Sequence, residues 1–153
     1  MIKTEISLEY EFFKNISMYK LNNKDFTLGK YNDKFIQDNF LCFKPVKTKR
    51  YSDKNSFCFN YALKTSKLLF CEDTAEYLFD NYKKISLKNL QVKDVIAFAD
   101  DCNFLHFAVV FKTGKTVNDI IVRSKFGHLN IYEHKLIDTP INFGDRFIIF
   151  RKG

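Results

Sequence analysis

Two residues of the sequence, Cys58 and His106, have the types and spacing for nucleophilic catalysis. Cys58 lies in N-S-F-C-F-N-Y-A-L, where Asn55 or Ser56 can cap a helix, so the pattern places the thiol in the first helical turn. The positive end of a helix favours the thiolate, which is the nucleophilic form of cysteine. His106 follows 48 residues later in an apolar β-like run, and imidazole is the usual proton acceptor for such a nucleophile. The alternative interpretation is structural: a core cysteine and a hydrogen-bonded core histidine.

The other cysteines have the setting of packing residues. Cys42 follows an apolar pair, Cys71 ends an apolar run and Cys102 lies in a turn. Four cysteines without a C-x-x-C pair are too few for a disulfide scaffold in a chain of 153 residues. Two pairs could suggest zinc, Cys102 with His106 and His128 with His134, but neither has the tight spacing of a structural zinc site. We therefore expect no metal and no cofactor.

The elements that must position these residues follow from the hydrophobic pattern. The pattern predicts helices over about 55–69 and 73–84, and short strands or one short helix within 1–50. Five strands are predicted at 94–99, 104–111, 119–124, 129–134 and 145–151. Helices followed by a meander predict an α+β fold in which the N-terminal helices pack on a five-stranded antiparallel sheet.

Four segments resemble the papain-like NlpC/CHAP superfamily of cysteine peptidases and amidases: C-F-N-Y-A-L at 58–63, K-D-V-I-A-F at 93–98, L-H-F-A-V-V-F at 105–111 and S-K-F-G at 124–127. Residues 128–146 further resemble a bacterial branch of this superfamily. The likeness covers about 55–150 and implies a papain-like fold. Lys93 stands where the family usually has glycine, and Phe126 where it has tryptophan. A catalytically inactive binding module is therefore an alternative.

The resemblance implies roles for individual residues, with Cys58 as the nucleophile and His106 as the general base. Three residues are alternatives for the group that orients the imidazole: Asn118, Ser124 and His128. Four are predicted to hold the oxyanion or the substrate: Asn55, Ser56, Asn60 and Lys125. The thiolate would attack an amide carbonyl and form an acyl-enzyme, which is then hydrolysed or transferred. Peptide, peptidoglycan or protein substrates suit this chemistry, and the family's toxins and effectors imply an immunity or inhibitor protein as partner.

Composition bounds the class of protein and leaves one rival function open. The chain has 46% hydrophobic residues, 5 Gly and 2 Pro, which fits a single globular domain over 1–153. The resemblance implies that 51–153 form the hydrolase core and 1–50 a variable N-terminal extension. Its net charge of +7 is concentrated in 41–93, where lysines alternate with aromatics as in a nucleic-acid-binding groove. Lysines make up 21 of the 25 basic residues, which favours a solvated surface over base readout.

Targeting signals are not evident in the sequence. The first residues lack the apolar core of a secretory signal, and no apolar run approaches the ~18 residues of a membrane span. The expectation is a soluble protein, either cytoplasmic or delivered by a route without a Sec-type signal.

Overall fold

The structure is a computed structural model, and it describes residues 18–21, 33–40, 42–46, 58–63, 76–78, 80–100, 104–126 and 129–153, with residues 59 and 60 described by their backbone only. Its strands are β1 (Tyr19–Lys20), β2 (Lys44–Val46), β3 (Tyr82–Ile85), β4 (Val95–Ala99), β5 (Phe104–Lys112), β6 (Ile121–Lys125), β7 (Ile131–Lys135) and β8 (Arg146–Lys152). The helices are α1 (Asp33–Asn39) and α2 (Cys58–Leu63), and residues 76–78 and 80–81 are also helical. Four 3-10 turns lie at Leu87–Asn89, Val117–Asp119, Leu136–Asp138 and Ile141–Phe143.

The strands in the described part of the chain form one antiparallel sheet of eight strands. Its order is β1-β8-β4-β5-β6-β7-β2, and β3 pairs with β8 beside β1. Strands β4 to β7 form a meander, because each strand pairs antiparallel with the next one along the chain. β8 returns to lie against β4. Val, Ile and Phe dominate these strands, as expected for strands that are buried.

Strands β4 to β8 are largely buried on both faces, which explains why they read as nearly continuous apolar runs. We call the side on which α2 packs the α2 face; its core is formed by Ala62, Leu63, Leu78, Val95, Ala97, Phe107, Ile148 and Phe150, among others. The opposite side, the His106 face, contains Ile96, Phe98, Ala108, Val110, Val122 and Ile149, packed against Leu136 and neighbouring 3-10 residues. Helix α1 packs at one end of the His106 face, where Ile36 joins Phe43, Phe126, Leu129 and Tyr132.

The predicted fold class is wrong. We expected a papain-like α+β domain with N-terminal helices on a five-stranded sheet, but the described residues form eight strands and only short helices. The five strands predicted after residue 93 are all present, each within two residues of its expected bounds. The error lies in the chain before them, which supplies β1, β2 and β3 to the same sheet.

Strand β3 shows the physical reason for the error. The pattern predicts a helix as far as Lys84, but helical residues end at 81 and Tyr82–Ile85 pair with β8 at four positions. The outer side of β8 offers unpaired backbone groups, and pairing with them outweighs the local helical preference.

No helix in the described ranges combines the length and hydropathy needed to cross a bilayer.

Gly144 is required by the backbone between the last 3-10 turn and β8. Its φ is +97°, and a Cβ atom there would lie 2.3 Å from the carbonyl oxygen of Ala99. We expect Gly144→Ala to lower the free energy of unfolding by about 2–3 kcal/mol, since the side chain adds both backbone strain and a collision with rigid backbone. Urea unfolding measures this.

Gly153→Ala is the matched control, because a Cβ atom there would meet its nearest neighbours at 3.5 Å or more. It should leave the unfolding free energy within about 0.5 kcal/mol of the parent protein. Equal effects of the two substitutions would contradict the assignment of strain to Gly144.

Candidate functional site

His106 is enclosed by aromatic rings on the His106 face of the sheet. Its side chain is 1% exposed and stacks on two rings, Phe126 at 4.9 Å between ring centroids and Phe143 at 4.5 Å, which also contact each other at 5.6 Å. Its Nε2 atom has no hydrogen-bond partner among the described residues. Burial, together with the neighbouring His134, lowers the pKa of His106 to about 3. The imidazole is therefore neutral at physiological pH, and as a base it is weak and closed off from solvent.

A second histidine, His134, forms the hydrogen bonds that were predicted for His106. Its Nδ1 lies 2.8 Å from the Lys135 carbonyl oxygen, which only accepts, so Nδ1 carries the proton and donates it. The unprotonated Nε2 then accepts from the hydroxyl of Ser124 at 3.0 Å. Ser124 therefore orients His134. The pKa of His134 is lowered to about 4 by burial, against the opposing effects of the Lys135 carbonyl and of Asp138.

Cys58 lies on the α2 face, the side of the sheet opposite to His106. The residue begins α2 and packs, half-buried, against the core that contains Phe107 on the α2 face. Successive residues of a strand point to opposite faces, and Phe107 directly follows His106. The pairing of His106 with Phe98, a residue of the opposite core, gives the same assignment. The predicted nucleophile and base thus lie on opposite faces of the sheet.

Lys125 is the predicted site residue that shares a face with Cys58. The register pairs Ala108 with Ser124, so Phe107 and Lys125 come next and are opposite each other on the α2 face. Lys125 is 0% exposed, which is rare for an ammonium group. Helix α2 packs on both β5 and β6, the strands that carry these two residues.

The remaining predicted residues are not brought to Cys58 or lie outside the described part of the chain. Asn118 is exposed in the turn after β5, while His106 lies near the start of that strand, so the length of β5 separates them. Asn55, Ser56 and His128, the packing cysteines Cys71 and Cys102, and the side chain of Asn60 lie outside the described residues. Cys42 is exposed rather than buried. The described residues contain no group of three or more side chains that could hold a metal ion.

The part of the α2 face beyond α2 carries a concentration of positive charge that the sequence did not reveal. One row of residues runs across β5, β6 and β7: Lys112, Ile121 and Lys135. The next row runs across β6, β7 and β2: Arg123, Glu133 and Lys44. We call Lys44, Phe111, Lys112, Arg123, Glu133 and Lys135 the basic face. Its three lysines are exposed, and the basic face as a whole contains four cationic side chains and one carboxylate. The order of the strands assembles these charges from segments that are distant in sequence.

An aromatic ring completes the basic face. Phe111 is 43% exposed, and the guanidinium of Arg123 lies over its ring at 3.7 Å from the centroid. Glu133 holds Arg123 in this position by accepting hydrogen bonds at 3.1 and 3.2 Å. A cavity of about 200 Å³ adjoins the face at its β2 side, between Cys42, Lys44 and Lys135. The surface therefore offers mobile cations, a fixed cation and a flat apolar ring side by side.

The two buried histidines predict how stability depends on pH. Their pKa values, about 3 and about 4, lie below the ordinary value of 6.5, so the unfolded chain binds protons that the folded protein does not. Stability is complete above pH 6.5 and falls as the pH drops toward 4, by about 1.4 kcal/mol per pH unit for each histidine. Urea unfolding between pH 7 and 5 measures this slope, which His106→Gln should roughly halve. A slope unchanged in His106→Gln would show that His106 is accessible to protons in the folded state.

No family model, no curated protein and no solved structure matches the chain.

Proposed function

We propose that the protein binds single-stranded nucleic acid through the basic face. The observation that carries this proposal is the presence of four cationic side chains, one carboxylate and an exposed aromatic ring on one uncovered part of the sheet. Proteins that bind single strands combine a positively charged surface, which follows the phosphates, with aromatic rings on which bases stack.

The chemistry of the face favours binding that does not depend on sequence. Lys44, Lys112 and Lys135 are flexible point charges, which attract phosphates but do not read base edges. Arg123 already donates from Nε and Nη2 to Glu133 and lies over Phe111, which leaves fewer donors for contact with a guanine. Unpaired bases are needed for stacking on Phe111, which favours single strands over duplexes.

Charge neutralisation of the basic face should weaken binding and reduce its dependence on salt. The variant is Lys44→Gln, Lys112→Gln and Lys135→Gln together, measured by fluorescence anisotropy with a labelled oligothymidine over a series of salt concentrations. The slope of log K against log salt should become shallower by about 2, because each cation on a single strand contributes about 0.7.

The matched control removes three exposed lysines from the opposite edge of the sheet, at Lys83, Lys84 and Lys152. This variant has the same net charge as the first. If it reduces affinity and slope as much, the attraction comes from overall charge and the basic face is not the site.

The aromatic ring should contribute independently of salt. Phe111→Ala is expected to weaken binding of oligothymidine about tenfold with an unchanged salt slope, since a stacked base contributes about 1–3 kcal/mol. Leu105→Ala is the control, because Leu105 is an exposed apolar residue of the same strand. Equal affinity of Phe111→Ala and the parent protein would remove the ring from the site.

A second candidate function retains the cysteine chemistry. We propose as this alternative that Cys58 attacks amide carbonyls of a peptide, peptidoglycan or protein substrate, with an immunity or inhibitor protein as partner. The observation that favours it is that Lys125, a fully buried cation, shares the α2 face with the half-buried Cys58. A neighbouring ammonium stabilises a thiolate. His106 has no part in this version, because its side chain lies on the other face.

Alkylation of Cys58 by iodoacetamide over a range of pH distinguishes the roles of Lys125 and His106. Lys125→Met should raise the apparent pKa of the thiol and slow its alkylation at neutral pH, because the cation that favours the thiolate is removed. His106→Gln should leave the profile unchanged. The opposite pattern would restore the original pair of Cys58 and His106, and an unperturbed thiol in the parent protein would exclude the hydrolase.

A further inference from the structure

A cleft separate from the basic face lies between two turns at the edge of the His106-face core. One wall is the segment 87–90, which contains a 3-10 turn, and the other is the segment 113–120 between β5 and β6. The cavity volume is about 570 Å³, within the usual range for small-molecule sites. We call it the Lys88–Lys115 cleft.

The lining of the cleft is apolar within and cationic at the rim. Leu87, Leu90, Val117 and Ile120 form its apolar part and belong to the core of the His106 face or pack against it. Lys88 and Lys115 lie on opposite walls and are both exposed. No acidic side chain lines the cleft within the described residues, so its charge is complementary to an anion.

The wall at 87–90 is fixed by an ion pair between the partly exposed Arg151 and the buried Asp94. Arg151 donates to both carboxylate oxygens of Asp94, at 2.7 and 2.8 Å, and its Nη2 also donates to the carbonyl of Asn89 at 2.8 Å. Asp94 in turn accepts from the backbone N–H of Gln91 at 2.8 Å, and Leu87 N–H donates to the hydroxyl of Tyr19 at 2.8 Å. These contacts hold the wall in place before any ligand arrives.

The wall at 113–120 is fixed by a capping box. The carboxylate of Asp119 accepts from the backbone N–H and the hydroxyl of Thr116, at 3.3 and 3.2 Å. The carboxylate of Asp119 is thus paired within its own turn. The backbone of Gly114 approaches the side chain of Asp119 so closely that a Cβ atom at position 114 would lie 2.2 Å from Cβ of Asp119. A preorganised site loses less free energy to ordering when it binds.

We infer that the Lys88–Lys115 cleft binds a small amphiphilic anion, an aliphatic chain that ends in a carboxylate or a phosphate. The chain lies against Leu87, Leu90 and Val117, where it is removed from water. The anionic end lies between the ammonium groups of Lys88 and Lys115 and has the hydroxyl of Thr113 as a further donor. The site is independent of nucleic-acid binding at the basic face.

The test uses octanoate as the probe, with calorimetry and backbone amide NMR of the parent protein. Octanoate should bind saturably and shift the amide signals of 87–90 and 113–117. Octanol, which lacks the charge, and inorganic phosphate, which lacks the chain, should each bind at least about tenfold more weakly, the loss expected when one of two contributing contacts is absent. Octyl phosphate, compared with octanoate, identifies which anionic group is preferred.

Lys88→Gln with Lys115→Gln should raise the dissociation constant for octanoate by about tenfold or more, whereas Lys83→Gln with Lys84→Gln should leave it unchanged. All four lysines are exposed, so both variants keep the fold. Equal binding of octanol and octanoate, shifts outside the two walls, or an unaltered constant in the Lys88 and Lys115 variant would overturn the inference.

Discussion

The alternation of side chains along β5 and β6 is the constraint on which every site in the molecule depends. Two pairs of neighbours in sequence, His106 with Phe107 and Ser124 with Lys125, are divided between opposite faces of the sheet. A buried sheet does not allow a side chain to reach round to the other side. The division therefore decides which groups can act together, and it separates imidazoles from the face that carries Cys58.

The basic face shows how the exposed part of the sheet avoids an apolar surface. Helix α2 packs on β5 and β6, whereas three side chains on the edge and neighbouring strands of the same face are exposed: Lys44, Lys112 and Lys135. An apolar surface there would favour aggregation, and the chain places Lys44, Lys112 and Lys135 on it instead. The same charges that keep this surface hydrated make it attractive to a polyanion. Hydration of this surface and the proposed binding of nucleic acid thus have one physical basis.

The sequence predicts the meander well and the site poorly, for physical reasons. Val-, Ile- and Phe-rich runs separated by turn residues are a local signal, and they locate β4 to β8 within two residues. β1 and β2 have two and three residues, too few to show a period, and β3 forms only because β8 is available to pair with it.

The face to which a buried residue points is a tertiary property. The sequence places His106 on a buried strand but does not reveal which side of the strand α2 will cover. The structural interpretation of His106 describes its burial correctly, although Nε2 lacks the hydrogen bond that was expected. The partnership of Ser124 with His134 depends on the register, which the predicted strand bounds do not give: Tyr132 lies opposite Ser124, and His134 is its diagonal neighbour on the same face.

The central position of β8 has a consequence for the order in which the protein assembles. β8 pairs with β1, β3 and β4, yet it follows all of them in the chain, and the pairing of Tyr19 with Phe147 closes a loop of 128 residues. Closing such a loop is slow, because its entropy must be lost before the contacts form, whereas the β4 to β7 meander needs only local turns. We expect the meander to form first and to expose the outer edge of β4 until β8 arrives. Arg151 reaches Asp94 at that step, so the wall at 87–90 is one of the last parts of the molecule to become ordered.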